Sequence, residues 1–201
     1  MTVNFGEPVT VVTTGGTPYI AITLATGGTV NAAYISGSGT SALVFRYTVV
    51  TGNADNDGIA VGASITANGG TLKDAAGNNV TLTLNSIGST TNVKVDAIAP
   101  VTSSVGVPAN ATYSTGANLD FTVNFSENVT VVTTGGTPYI AITLNTGGTV
   151  NAAYQSGSGT SALVFRYIVV TGNTDNNGIA IGASITANGG TIKDAAGNNA
   201  V

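Results

Sequence analysis

Acidic side chains are the groups in this 201-residue sequence that could do chemistry. The chain has no histidine and no cysteine, so the commonest general base, the commonest zinc ligand and any thiolate nucleophile are excluded. Carboxylates in pairs or clusters remain, and they suit either a hard cation or acid–base hydrolysis. The nine acids are Glu7, Asp55, Asp57, Asp74, Asp96, Asp120, Glu127, Asp175 and Asp194. All except Asp120 fall in predicted turns or in the linker at 96–100.

The acidic loops occur twice because the sequence itself repeats. "TGNADNDGIA" (51–60) returns as "TGNTDNNGIA" (171–180). Residues 1–81 and 121–201 differ at 12 of 81 positions, so 69 are identical. A repeat of this length predicts two copies of one folded unit.

Composition limits the classes of partner. Only 7% of the residues are charged, and the net charge is −4. The five basic residues are scattered singly, which argues against nucleic-acid binding, whereas a negative balance favours cations. No apolar run approaches the ~20 residues of a membrane helix, so we expect no membrane insertion. The start, "MTVNFGEPVTVV", lacks the features of a signal peptide, so any export signal is expected elsewhere or the protein stays inside.

Apolar residues alternate with polar ones in nearly every segment. In "SALVFRYTVV", Leu43, Phe45 and Tyr47 fall on one face and Arg46 on the other. Such a period of two predicts half-buried strands, and the Gly- and Asn-rich segments between them predict turns. Many short strands with regular turns are typical of a β-sandwich or barrel.

The repeat and the turns predict two tandem immunoglobulin-like β-sandwich modules of about seven strands each. The modules are expected at 1–95 and 96–201, the first lacking its first strand and the second its last. Pro100 favours an extended linker and hence an elongated arrangement. The strands of a complete module are A "VTSSVGV", B "LDFTVNF", C "YIAITL", D "TVNAAY", E "ALVFRY", F "IAIGASI" and G "VTLTL…NVKV". The short "VTVV" between B and C could add an eighth.

Several motifs together resemble those of a known family. "VDAIAP", "FTVNFSENVTV", "GSGTSALVFRYTV", "GNADNDGIAVGASI" and "GGTLKDAAGNN" are similar to the bacterial immunoglobulin-like repeats of large cell-surface adhesins. The resemblance covers the whole chain in consistent order. It implies an extracellular, secreted rod of structural spacer modules at the bacterial cell surface, often stiffened by calcium, with neighbouring repeats as partners.

The strand order of a sandwich predicts where the acidic loops meet. The B–C loop with Glu127 and the F–G loop with Asp194 share the end at which the linker, with Asp96, arrives. The E–F loop with Asp55 and Asp57 lies at the opposite end of its module. Stacked modules would therefore bring Asp55, Asp57, Asp96, Glu127 and Asp194 to one junction. Such a cluster repels itself without a cation and suits Ca²⁺, which takes six to eight oxygen ligands.

A simpler explanation of the same acids is that they are turn residues. Asp and Asn hydrogen-bond to nearby backbone in ordinary turns. Asp57 is the weakest member of the set because Asn177 replaces it in the second copy. Lys193 is a competing partner for Asp194, and "DNDG" lacks the later glutamate of an EF-hand loop.

Three functions remain, and an enzyme is not among them. A structural spacer is favoured over a self-assembling extracellular fibre or sheath subunit, and over a carbohydrate-binding module that contacts surface polysaccharide. The sugar hypothesis rests on an outward stripe of Tyr19, Tyr34, Tyr139 and Tyr154. The missing strands further predict that Ile179, Ile181 and Ile185 lose the cover that strand G gives Ile59, Val61 and Ile65. Open edges of this kind invite strand addition and association of chains.

Overall fold

The computed structural model describes all residues from Met1 to Val201 and contains strands but no helix. The all-β prediction is therefore confirmed. The chain divides into two compact units, Met1–Ile98 and Ala99–Val201. The division falls three residues after the position expected from the sequence and just before Pro100.

The first unit contains one six-stranded antiparallel sheet and a small two-stranded one. The large sheet has the order β6-β2-β3-β4-β1-β7, and β5 pairs with β8. The sheet is curled, and its buried residues form one core. Its strands are β1 (Thr2–Val12), β2 (Tyr19–Leu24), β3 (Gly28–Ser36), β4 (Thr40–Arg46), β5 (Ala54–Asp55), β6 (Ala60–Thr66), β7 (Thr71–Lys73) and β8 (Val95–Asp96).

The second unit repeats this order with one additional strand. Its sheet has the order β14-β11-β12-β13-β10-β15, and β9 pairs with β10. Its strands are β9 (Thr102–Gly106), β10 (Asn118–Val132), β11 (Tyr139–Leu144), β12 (Gly148–Ser156), β13 (Thr160–Ile168), β14 (Ala180–Thr186) and β15 (Thr191–Lys193). Strand β9 corresponds to the expected strand A.

The alternating sequence pattern produces alternating burial. In β10, Leu119, Phe121, Val123 and Phe125 are buried, and the polar residues between them are half-buried. Each unit builds its own core in this way. Phe45 and Phe165 have no exposed surface, and each meets the edge of a tyrosine ring, Tyr34 or Tyr154, at about 6 Å between centroids.

Strand β10 corrects one sequence expectation. "VTVV" was predicted as a separate short strand, but it continues strand B as part of a single 15-residue strand. The register shifts between Asn124 and Val129, and Thr130–Val132 pair with β15. The irregular stretch separates the part of β10 that pairs with β9 from the part that pairs with β15, and β13 lies on the other side of the strand.

Strand G is a second correction. The predicted strand "VTLTL…NVKV" forms only an isolated bridge between Ser64 and Thr83 and the two-residue strand β8. Turn residues interrupt the segment, and Ser86 has a positive φ of 55°. The short strands β7 and β15, in contrast, were predicted as part of a loop.

Two glycine-rich turns in each unit pack backbone against backbone. A Cβ on Gly15 would collide with the carbonyl oxygen of Gly69, and a Cβ on Gly69 would collide with that of Gly15. Gly69 also has a φ of +82°, which L-residues rarely adopt. "TTGG" is therefore a packing surface for "ANGG" as well as a turn.

We expect Phe45→Ala and Phe165→Ala each to destabilise the unit that carries it by about 3–5 kcal/mol, because each removes a fully buried ring from a separate core. Hydrogen exchange with mass spectrometry measures this unit by unit, since the two copies differ at 12 positions and give distinct peptides. Equal loss of protection in both units for either variant would contradict the assignment of two independent cores.

Candidate metal centre

Glu127 and Asp194 come together where β10 changes neighbour. Glu127 lies in the irregular stretch of β10 between Asn124 and Val129. Asp194 directly follows β15, whose Lys193 pairs with Thr130 of β10. This register brings a carboxylate oxygen of Glu127 and one of Asp194 within 4.8 Å of each other. The pair belongs entirely to the second unit.

The Asp194 side chain organises the loop that follows it. It is only 5% exposed. Its Oδ1 accepts hydrogen bonds from the backbone N–H groups of Gly197 (2.7 Å) and Asn198 (2.8 Å), and its Oδ2 accepts one from Asn198 Nδ2 (2.7 Å). Lys193 forms no ion pair with it. The sequence did not reveal Gly197 and Asn198 as partners, although their place in the repeated "KDAAGNN" was the available signal.

These hydrogen bonds keep Asp194 ionised. Burial raises the pKa of Asp194, but the hydrogen bonds from the side chain and backbone of Asn198 and from the Gly197 backbone outweigh it, so the pKa is lowered overall. In the first unit, the equivalent Asp74 has its pKa lowered chiefly by the Asn78 side chain. Asp194 is therefore a carboxylate at neutral pH. Two ionised carboxylates at this distance repel each other, and a cation bound by both would offset the repulsion.

Asp96 lies at the end of the first unit. It is exposed, belongs to β8, and accepts a hydrogen bond from the Ile98 N–H through Oδ1 (3.2 Å). Two residues, Ala97 and Ile98, separate it from the first residue of the second unit. Its expected part in a junction site stays a prediction.

Asp55 and Asp57 differ sharply in their surroundings. Asp55 is 4% exposed, and its two oxygens accept hydrogen bonds from the N–H groups of Ala25 (3.0 Å) and Gly58 (2.7 Å). Asp57 is exposed. Asp55 therefore orders its own loop through Gly58 and joins that loop to the turn between β2 and β3 through Ala25.

Asn53 is a loop residue that the sequence analysis missed. It is 5% exposed, and its Oδ1 accepts hydrogen bonds from the Tyr47 hydroxyl (2.6 Å) and the Val50 N–H (3.1 Å). Asn173 receives the same two bonds from Tyr167 and Val170. The repeated "TGN" before each acidic loop was the available signal. Both copies of the loop therefore form the same two hydrogen bonds to an asparagine side chain.

Asp120, the acid expected outside the turns, forms an ion pair; the expectation is wrong for Glu7 and Glu127, which also lie in strands. Asp120 and Arg166 lie opposite each other in the β10–β13 register. Arg166 Nε and Nη2 contact the two Asp120 oxygens at 2.6 and 2.7 Å. The hydrogen bond from Arg166 lowers the pKa of Asp120. Both side chains are partly exposed, so the pair contributes little to stability.

Two of the four tyrosines of the sugar hypothesis have structural roles within their units. The hydroxyls of Tyr34 and Tyr154 accept hydrogen bonds from the N–H groups of Ser38 (2.8 Å) and Ser158 (2.9 Å). Their rings pack against core phenylalanines. Tyr19 and Tyr139 are half-buried. The structure therefore offers no exposed row of four aromatic rings.

We expect Asp194→Asn to cost the second unit about 1–3 kcal/mol at pH 7 in the presence of a chelator, because hydrogen bonds to a buried carboxylate are lost. The pKa of Asp194 is lowered in the folded state, so its contribution is complete above about pH 4 and is lost as the pH falls through the folded value. The unfolding free energies of the unchanged protein and of Asp194→Asn, measured in urea at pH 7, 4 and 2.5, should therefore differ less as the pH is lowered.

The matched control is Asp57→Asn, which removes the same charge from an exposed position and should change stability by less than about 0.5 kcal/mol. A cost for Asp194→Asn that stays constant down to pH 2.5 would show that the carboxylate charge is not what stabilises the loop.

No membrane-spanning helix and no matching relative points to a function for this chain. The chain has no helix of the length and apolarity needed to cross a membrane. Comparison with models of protein families, with curated proteins and with solved structures gives no match. Function has to be argued from the repeated fold, the loops and the acidic pair.

Proposed function

We propose that the chain is a pair of structural spacer repeats from a secreted bacterial surface adhesin. The observation that carries the proposal is the repetition of one fold: the second unit reproduces the six-strand order of the first, strand for strand. The loops are reproduced as well, down to the Asn53 and Asn173 hydrogen bonds. Binding proteins usually place function in divergent loops, whereas a spacer needs only the same unit again.

Each unit is proposed to be an immunoglobulin-like sandwich. Antiparallel pairing throughout, a single core and roughly 100 residues per unit support this assignment. The family resemblance of the sequence motifs adds the expected setting, which is the bacterial cell surface, with neighbouring repeats as partners.

Calcium is proposed to bind at Glu127 and Asp194 in the second unit. Asp194 is held ionised, and Glu127 lies within 4.8 Å of it. Carboxylate oxygens are the ligands that Ca²⁺ prefers. Asp55 and Asp57 are left out, since Asp55 is buried and accepts hydrogen bonds from the backbone of Ala25 and Gly58, and Asp57 has Asn177 as its counterpart.

Calcium should raise the unfolding free energy of the second unit, by about 2.7 kcal/mol at a hundredfold excess over its dissociation constant. Differential scanning calorimetry with and without a chelator measures the effect. Glu127→Gln should abolish most of it. Glu7→Gln is the matched control, because it removes the equivalent carboxylate of the first unit and should leave the response intact. An unchanged melting curve at millimolar calcium would contradict the metal site.

The spacer proposal itself predicts that length scales with repeat number. Appending further copies of residues 82–201 after Val201 adds one 120-residue repeat at a time in the native order. We expect the maximum dimension from small-angle X-ray scattering to increase by a constant step for each copy. A particle that becomes globular as repeats are added would overturn the proposal. Saturable binding on a glycan array would instead favour the carbohydrate-binding alternative.

A further inference from the structure

The turn between β6 and β7 is built on an asparagine–glycine pair. Asn68 has a φ of 53° and Gly69 a φ of 82°. The Gly70 N–H donates a hydrogen bond to the Ala67 carbonyl (2.9 Å) across the turn. Positive φ at both central residues, closed by this hydrogen bond, is the geometry of a type I′ turn. We name residues 67–70 the Asn–Gly turn.

A neighbouring turn holds the Asn–Gly turn in place. The Asn68 Nδ2 donates a hydrogen bond to the Thr17 carbonyl (3.1 Å). Gly15 and Gly69 approach so closely that a Cβ on either would collide with the carbonyl oxygen of the other. A Cβ on Gly16 would likewise collide with the Asn68 carbonyl oxygen. The side chain and the backbone of Asn68 are therefore both fixed, although the residue is exposed to water.

The second unit has the same arrangement between β14 and β15. Asn188 has a φ of 52° and Gly189 a φ of 85°. The Asn188 Nδ2 donates to the Thr137 carbonyl (3.2 Å), and Gly189 and Gly135 approach as closely as their counterparts do. Asn188 is also exposed. The chain therefore carries two equivalent Asn–Gly turns, one in each unit.

Asparagine followed by glycine is prone to deamidation in water, because glycine has no side chain to hinder ring closure. The glycine nitrogen attacks the asparagine Cγ, so that a new N–Cγ bond forms. The Cγ–Nδ2 bond breaks, and ammonia leaves with the proton of the glycine N–H. Water then opens the succinimide ring at one of its two carbonyl groups, which gives aspartate or isoaspartate. The net reaction consumes one water and releases one ammonia, and it needs no other reactant.

The folded turn opposes this reaction. Ring closure requires the Gly69 nitrogen to lie on the Cβ side of Asn68. A type I′ turn has a ψ of about +30° at its first central residue, which places that nitrogen on the opposite side. Rotation about this bond would break the hydrogen bond between Gly70 and Ala67 and would move Asn68 away from Thr17. The turn must therefore open before the ring can close.

We propose that Asn68 and Asn188 are modification sites whose deamidation is gated by opening of the turn, so that each unit keeps a covalent record of its own opening. The product has a carboxylate oxygen in place of Nδ2. A carboxylate only accepts hydrogen bonds, so it cannot donate to the Thr17 carbonyl and instead repels it. The modified turn therefore stays weakened after the unit has closed again.

The gate is tested by comparing the folded protein with the peptide Thr66–Lys73 (TANGGTLK), in which no fold holds the turn. Both are incubated at pH 8, and conversion of each asparagine is followed by mass spectrometry. We expect deamidation of Asn68 and of Asn188 to be at least tenfold slower in the folded protein than in the peptide. Equal rates would overturn the proposal, and so would the absence of deamidation in the peptide.

Gly15→Ala opens one turn and leaves the other as a matched control, because its Cβ collides with the Gly69 carbonyl oxygen. We expect deamidation of Asn68 to become at least tenfold faster and that of Asn188 to stay unchanged. Gly135→Ala should give the reverse. The tryptic peptides 47–73 and 167–193 differ in sequence, so the two sites are measured in one sample. Equal acceleration at both sites, or at neither, would contradict the gate.

Asn68→Asp provides a second variant that adds no steric clash and reproduces the aspartate product directly. We expect hydrogen exchange at the Gly70 amide to become about tenfold faster, while exchange at the equivalent Gly190 amide and within β2 and β3 stays unchanged. Unchanged exchange at Gly70 would show that the closed turn keeps no record of the modification and would overturn that part of the proposal. Loss of protection throughout β2 and β3 would contradict a change confined to the turn.

Discussion

The second unit depends on how strand β10 shares its backbone hydrogen bonds. This strand pairs with β13 on one side, and on the other side with β9 before its irregular stretch and with β15 after it. An irregular stretch of this kind bends a strand and interrupts its regular pairing, so successive parts of one strand can pair with different neighbours. The irregularity at 124–129 separates the β9 pairing from the β15 pairing. It also places Glu127 beside the end of β15, so the acidic pair is a consequence of sheet pairing.

Much of the fold could be predicted because alternation reports directly on which face of a strand is buried. Segments such as "YIAITL" and "FTVNF" became strands with alternating burial. The failures concern pairing, which sequence alternation does not encode. "TLK" is too short to show a period yet pairs with β1, and "VTLTL" alternates well yet forms only one bridge to β6. The merger of "VTVV" into β10 was missed because a bulge has no composition of its own.

The candidate site, like the fold, could be predicted only in part. The sequence analysis expected Glu127 and Asp194 at the same end of the module, and they lie within 4.8 Å of each other, but Glu127 lies inside β10 and not in the expected loop. That Asp55 turns inward to Ala25 and Gly58 was not predicted, because it depends on which backbone N–H groups face a loop after folding. A carboxylate has about four lone-pair sites. Asp194 uses three of them on its own loop, so the groups that order this acid also limit how many bonds a cation could receive from it.

Comparison of β6 with β14 shows how a covering segment affects the edge of otherwise equivalent β-sheets. Ile65 and Ile185 have the same neighbours in sequence and pair with equivalent residues, Ile20 and Ile140. Their burial differs because Leu82 and Leu84 lie over the first. The strands themselves are unchanged: β14 has the same seven-residue length as β6 and the same register shift. The shape of this edge is therefore set by the pairing of β14 with β11, as it is set by the pairing of β6 with β2, and not by the segment that covers it in the first unit.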